Sequence, residues 1–324
     1  MFGLTFLSAT SKTTTHRVVP FRIKRLLDAV AGYVAGGEDS AKISGIDKIA
    51  FAADSKTTLS ATLSVAKDRL TGFANSGVAG YAAGGQSSSG RNSAIDKIAF
   101  PAETRTTISA TLTAGNADSA GFANSNVAGY VAGGSSGPVD FNYIDKISFP
   151  ADTKTTLSAT LTTARYSVFG CANSGVAGYV GGGRDSGGLV SGIDKIAFGA
   201  DTKTTLSATL TNVIASGASF ADRGVAGYWA GGESGVAGLR SYIDKISFPA
   251  DTKTTLSATL TTARQIPTGF ANSGVAGYAA GGYDSALING IDKVSFAADT
   301  KTTLSATLTT ARYQAAAFAD SGTL

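Results

Sequence analysis

An all-β fold is what the sequence predicts, a six-bladed β-propeller closed by its own C-terminal strand, and three observations predict it. A Gly-Tyr-x-x-Gly-Gly element returns six times, with its tyrosine at Tyr33, Tyr81, Tyr130, Tyr179, Tyr228 and Tyr278, at intervals of 48 to 50 residues. Each unit holds four short β-like stretches separated by turn residues, which is the content of one propeller blade. The last unit stops after its first stretch (Ala315 to Asp320), while the opening unit, from Val30 to Gly37, lacks a well-formed first stretch of its own. The two chain ends therefore complete each other and leave no open sheet edge between first and last blade.

The sixth unit shows the elements in order. Strand A is expected at Thr268 to Asn272, and Ser273-Gly274 is a two-residue turn signal. Strand B runs from Val275 to Ala280 and is stopped by Gly281-Gly282. Strand C, Ile291 to Phe296, has counterparts beginning at Ile46, Ile95, Ile144, Ile193 and Ile243. Ala298-Asp299-Thr300-Lys301 reads as a turn and Thr302 to Leu308 as strand D. The β-branched content of that last stretch argues against a helical solenoid of similar period.

Composition agrees. Of 324 residues 43% are hydrophobic and only 15% charged, which allows a large core and excludes global disorder. The single cysteine, Cys171, stands where the five sister units carry Phe, and is expected to be a small buried apolar side chain; alone, it cannot form an internal disulfide. No apolar run is long enough to span a membrane, and the N-terminus lacks the pattern of a secretory signal, so if the protein leaves its cell, lysis or another Sec-independent route is expected.

Charge divides the chain into two parts. Residues 1–27 form a basic and apolar arm, with Lys12, Arg17, Arg22, Lys24 and Arg25 and no acid; residues 28–324 form the propeller, with 22 basic against 23 acidic side chains. Val18, Val19, Phe21, Ile23, Leu26 and Leu27 are mixed with the charges. That mixture fits a docking peptide for an acidic protein partner, with Arg17, Phe21, Arg22, Lys24 and Arg25 as its contacts, better than a nucleic-acid arm.

Blades stack face to face, so alternate residues of each strand meet opposite neighbours. In strand C, Asp47, Asp96, Asp145, Asp194, Asp244 and Asp292 alternate with Lys48, Lys97, Lys146, Lys195, Lys245 and Lys293. A circular Asp–Lys ladder from blade to blade is expected, as structure and not as an ion site, because a lysine beside each acid defeats cation binding. The repeated tyrosines line the blade seams or face the central channel, and the glycines permit close backbone approach near the axis.

Variation among the copies is one-sided. The A–B and C–D turns, on one face of the disc, are nearly constant. The B–C and D–A loops, on the other, diverge, and loops on a rigid scaffold are where binding residues gather. That face carries Phe141, Tyr143, Tyr166, Tyr242, Tyr283 and Tyr313 with Arg91, Arg184, Arg240 and Asp185. Aromatic surfaces with polar neighbours suit sugar rings or a protein partner.

Enzymatic chemistry is not expected. The only histidine, His16, lies in the arm, which excludes a Ser-His-Asp triad and a Cys/His zinc or copper site in the disc. Lys-Ser/Thr does not follow the double glycine, so the repeat is not a phosphate loop. No metal and no cofactor are expected.

Over residues 28–322 the order of a strand ending in Gly-Gly, a variable loop, an Ile-Asp-x-Ile-x-Phe strand, an Asp-Thr turn and Thr-Ala-Arg resembles the kelch motif. The chain departs from it at the strand-D tryptophan, replaced by Leu59, Ile108, Leu157, Leu206, Leu256 and Leu304. It also departs at the arginine before strand A, kept only as Arg165, Arg264 and Arg312, with Lys67, Asn116 and Ile214 elsewhere. The Gly/Ala/Thr-rich, near-identical units are similar to repeats of bacteriophage virion proteins, cyanophages among them. That resemblance implies a virion structural protein, as tail fibre, spike or capsid decoration, assembled in the host cytoplasm. It would be attached to other virion proteins by the arm and would present the variable face to a host-surface glycan or protein. An intracellular kelch-type interaction scaffold is the alternative, and a glycan-processing enzyme a third reading.

Overall fold

The computed structural model describes residues 31–320. The arm at 1–27 and the residues after Asp320 lie outside the described residues. The described residues form six four-stranded antiparallel sheets and two short two-stranded ribbons in B–C loops, with one short 3-10 turn at Gly235–Ala237. Each sheet is one blade in the order A-B-C-D. In blade 6 these are Thr268–Asn272, Ala276–Ala280, Ile291–Ser295 and Thr300–Thr303. In blade 1 they are Ala316–Ala319, Ala31–Ala35, Ile46–Ala50 and Ser55–Thr58. The C-terminal strand thus pairs with the first strand B, Tyr33 opposite Phe318, as the sequence predicts. The six A strands contact one another in a closed circle around the axis.

Strand D differs from expectation. It begins at Thr300, inside the expected turn, and in four blades spans only four residues; it reaches Thr111 in blade 2 and Thr259 in blade 5. The cause lies in the turn. Asp54, Glu103, Asp152, Asp201, Asp251 and Asp299 all take left-handed backbone, φ 46–53°, which reverses the chain before the first Thr.

The seams hold the core. Each repeat tyrosine is buried against the Phe after strand C of the next blade and, in every blade but the fourth, against the strand-A Phe of its own; Tyr179 stacks on Phe248 and has Cys171 at the strand-A position. Tyr130, for example, stacks on Phe122 at 5.3 Å and on Phe198 at 5.0 Å. The same Phe122 lies flat on Gly178 of the next blade, where a Cβ would sit 2.1 Å from the ring, so the glycine is needed for the approach. This settles the tyrosines as seam residues. Their hydroxyls donate to the C–D turn acid of the following blade, as Tyr81 does to Asp152 at 3.0 Å.

The expected Asp–Lys ladder does not form; two separate rings replace it. Each strand-C lysine pairs with the C–D turn acid of the next blade: Lys97 with Asp152, Lys146 with Asp201, Lys195 with Asp251, Lys245 with Asp299 and Lys293 with Asp54, at 2.6–2.7 Å, and Lys48 with Glu103. Each strand-C aspartate is instead buried toward the preceding blade, where Ser or Thr meets it. Thr162 donates to Asp194 by its hydroxyl at 2.6 Å and its backbone N–H at 2.9 Å. Asp and Lys are neighbours on one strand, so they face opposite seams and lie at different heights. Each meets whatever the adjacent blade offers at its own level.

Four of the six aspartates also receive a buried cation from the D–A loop. Arg165 reaches Asp194 and Arg264 reaches Asp292, both at 3.0 Å; Arg312 reaches Asp47; Lys67, fully buried, stands 3.5 Å from Asp96. Burial works against ionising Asp194 and Asp292, but hydrogen bonds from Thr162 and Thr261 and the adjacent guanidinium outweigh it. Both carboxyls are held below their ordinary value. For Lys67 burial wins over Asp96, and the ammonium is pulled below its ordinary value.

Candidate functional site

The two faces of the disc are chemically different. On the turn face the A–B turns expose Val78, Val127, Val176, Val225 and Val275, each about half accessible, above the Lys–acid ring. These valines are a repeated apolar circle that the sequence reading did not single out. The period is legible in Ser-Gly-Val, but exposure is not.

The loop face carries the divergent residues. Each D–A loop is bridged to the B–C loop of the blade it enters: Tyr313 to Glu38, Asp68 to Gln86, Ala117 to Ser135, Tyr166 to Arg184, Ala215 to Glu233 and Gln265 to Tyr283. One residue further on, Arg69, Asp118, Ser167, Ser216, Ile266 and Gln314 take left-handed backbone, φ 52–60°. Their backbones are linked around the axis. The N–H of Arg69 donates to Gln314 at 2.8 Å, that of Asp118 to Arg69 at 3.1 Å, that of Ser216 to Ser167 at 2.9 Å and that of Ile266 to Ser216 at 2.6 Å. This annulus is the mouth of a small axial cavity of about 110 Å3, open to solvent. The innermost lining residues are Gly72, Gly121, Gly170, Ser219, Gly269 and Ala317, where the backbones come close together: a Cβ on Gly72 would lie 2.0 Å from the Ala317 carbonyl oxygen, and one on Gly121 2.2 Å from that of Gly72.

The sequence-predicted residues are spread around this face and divide by role. Tyr283 is exposed and its ring lies 6.4 Å from that of Tyr313. Phe141 and Tyr143 form another ring pair at 4.7 Å, but the Tyr143 hydroxyl is enclosed without a partner among the described residues, and burial, then Asp145, holds its pKa up. Tyr242 packs at the edge of the core, its hydroxyl accepting from Asn212 at 3.2 Å. Arg240 is half-buried, its Nε enclosed without a hydrogen-bond partner among the described residues. Arg184 pairs with Glu233 at 3.3 Å; Asp185 accepts the Gly187 N–H at 2.8 Å and shapes a two-stranded ribbon, Arg184–Asp185 with Gly188–Leu189. Tyr166 is half-buried. Arg91 reaches Asp118 at 3.4 Å. The docking contacts Arg17, Phe21, Arg22, Lys24 and Arg25 lie outside the described residues.

The structure adds a network that the sequence reading missed. Arg69 pairs with Asp118 at 3.1 Å and with Asp68 at 3.5 Å; Lys42 pairs with Asp68 and lies 3.7 Å from Glu38. A hydrogen bond with Asp68, then burial, raises the Glu38 pKa. Burial, then the charges of Glu38 and Asp68, raises that of Tyr313. From Tyr283 to Arg91 these groups form one track across blades 6, 1, 2 and 3. Its signal was present in the sequence: Asp68, Arg69 and Asp118 bring charge to D–A positions filled elsewhere by Ala, Ser, Tyr, Gln and Ile.

No group of three or more potential metal ligands is found among the described residues, nor a helix long and apolar enough to cross a membrane. Fold and faces together define a six-bladed β-propeller with a constant framework and one variable face. Compared with models of known protein families and with curated proteins, the chain matches none.

Proposed function

We propose that this propeller is a structural component of a bacteriophage particle, a kelch-like disc that attaches through residues 1–27 and offers its loop face to a host-surface glycan or protein. The observation that carries the reading is the one-sidedness of the variation. Six nearly identical wedges are locked by repeated Tyr–Phe stacks and ion pairs, while the divergent residues collect on the face that surrounds the axial cavity. Such a construction favours recognition on a stiff support. The similarity of the repeats to virion repeats supports the particle assignment, and the charge of the arm supports docking on an acidic neighbour.

Mass spectrometry of purified particles, made with the full chain and with residues 1–27 deleted, tests this. The full chain is expected in the particle; the shortened chain is expected to keep the circular-dichroism spectrum of a β disc and to be lost from particles. Absence of the full chain from particles, or undiminished incorporation without the arm, overturns the reading.

A further inference from the structure

We propose that the mouth of the axial cavity is a binding subsite for the terminal unit of an uncharged saccharide, held across blades 6, 1, 2 and 3. The inference rests on the reading of the loop face as the ligand-binding surface, and gives that face a location and a chemistry.

The rim consists of Arg69, Asp118, Ser167, Ser216, Ile266 and Gln314, six residues at one repeat position. Similar left-handed backbone at one repeat position thus places six different side chains around one mouth. Guanidinium and hydroxyls donate, and Asp118 accepts. Within the adjoining track three cations, Lys42, Arg69 and Arg91, stand against three acids, Glu38, Asp68 and Asp118, and are paired with them. No net charge is left to favour an anion or a cation, while dense donors and acceptors remain for vicinal hydroxyls.

Two further features point to a polyhydroxylated ring. The side-chain oxygen of Gln314 is enclosed and has no hydrogen-bond partner among the described residues. A buried acceptor in that state is unfavourable until a donor arrives, and a sugar hydroxyl supplies one. Next to Gln314, Tyr313 pairs with the exposed Tyr283, which offers a ring to the apolar C–H face of a pyranose. At about 110 Å3 the cavity is smaller than the ~300–1,000 Å3 of whole small-molecule sites, so only the end of a ligand can enter its mouth. The cavity is lined from the rim down to Gly72, Gly121, Gly170, Ser219, Gly269 and Ala317, so its mouth on the loop face admits a chain terminus end-on.

Saturation-transfer NMR and calorimetry on the full chain test this, with glucose, galactose, mannose, N-acetylglucosamine and their short oligomers as probes and inorganic phosphate as the charged control. At least one neutral sugar is expected to bind. Arg69→Asn and Asp118→Asn are each expected to weaken it tenfold or more, and Arg223→Gln, at an exposed A–B turn on the opposite face, by less than twofold. Asn suits the left-handed backbone of the rim, and thermal unfolding confirms that the variants fold. Sugar binding unaffected by R69N and D118N removes the subsite but leaves the glycan-binding face standing. Phosphate bound in preference to every sugar removes the uncharged class. No sugar bound by the folded wild-type chain removes the subsite and the glycan reading together, while particle incorporation is decided separately by mass spectrometry.

Discussion

The seam between blades 5 and 6 and the seam between blades 4 and 5 solve one packing problem with different chemistry. At the first, Arg264 enters blade 6, donating to the Ala279 carbonyl at 3.1 Å and pairing with Asp292 at 3.0 Å, and Phe220 lies on Gly277. At the second, Ile214 holds the arginine position and Cys171 the phenylalanine position. Trp229, where blade 6 has Ala279, fills the space, with its indole N–H donating to the Phe169 carbonyl at 3.3 Å. Asp244 is as buried as Asp292 but keeps only the hydroxyls of Thr211 and Thr255, the Thr211 N–H and Lys253 at 3.7 Å. The framework therefore tolerates losing its buried cation when the threonine cage stays and volume is redistributed. The substitutions at 171 and 229 make sense only as a set, since a Cβ on Gly227 would meet both Cys171 and Trp229.

This comparison can be broken at several points. The largest effect is expected from Arg264→Ala, or Arg312→Ala at the closing seam. Either strands a buried carboxylate and should cost about 3–5 kcal/mol in denaturant unfolding with the slope unchanged. A loss below about 1 kcal/mol would mean that the threonine cage alone suffices everywhere. Next, Cys171→Phe should overpack the apolar seam by about 1–3 kcal/mol. The double variant with Trp229→Ala should cost less than the sum of the single changes, a coupling read from a double-mutant cycle; strict additivity would deny the compensation.

A pH series sharpens the same contrast. Asp292 and Asp194 titrate below the ordinary value of 3.8 in the folded state, so above that value their pairing stabilises the fold. The unfolded chain takes up protons first as acid is added, and this stability is lost as pH falls through the folded pKa. The melting temperature of the wild type should hold near neutrality and drop only in strong acid, and its advantage over Arg264→Ala should shrink below about pH 4. A constant gap would place the arginine's contribution in packing. The smallest effect belongs to the turn-face ring, whose partners are part-exposed: Lys195→Gln should cost about 0–1 kcal/mol and less at high salt.

Much of the fold was legible because it is repeated. Six Gly-Tyr-x-x-Gly-Gly elements and a truncated last unit carried the blade number and the ring closure, and the lone Cys171 stood out as a buried replacement. The error at strand C is instructive. Alternation showed that Asp47 and Lys48 point to opposite sides, but not the height at which each crosses the seam, so Lys48 meets Glu103 and Asp47 meets Thr309. Among the candidate site residues, aromatic character alone did not separate Tyr283, exposed, from Tyr143, whose hydroxyl is enclosed. The charged track escaped because Glu38, Asp68 and Asp118 are 30 and 50 residues apart and meet only through the ring.

The amino-acid sequence by itself determined the period, the strand alternation and which loops differ, because these are local properties that each unit states again. Only the tertiary structure decided which charges meet, which aromatic rings are covered and what surrounds the axis. Those depend on the stagger between neighbouring blades, and stagger is set by the packing of Phe on Gly and Tyr on Phe across a seam, contacts between residues from different units.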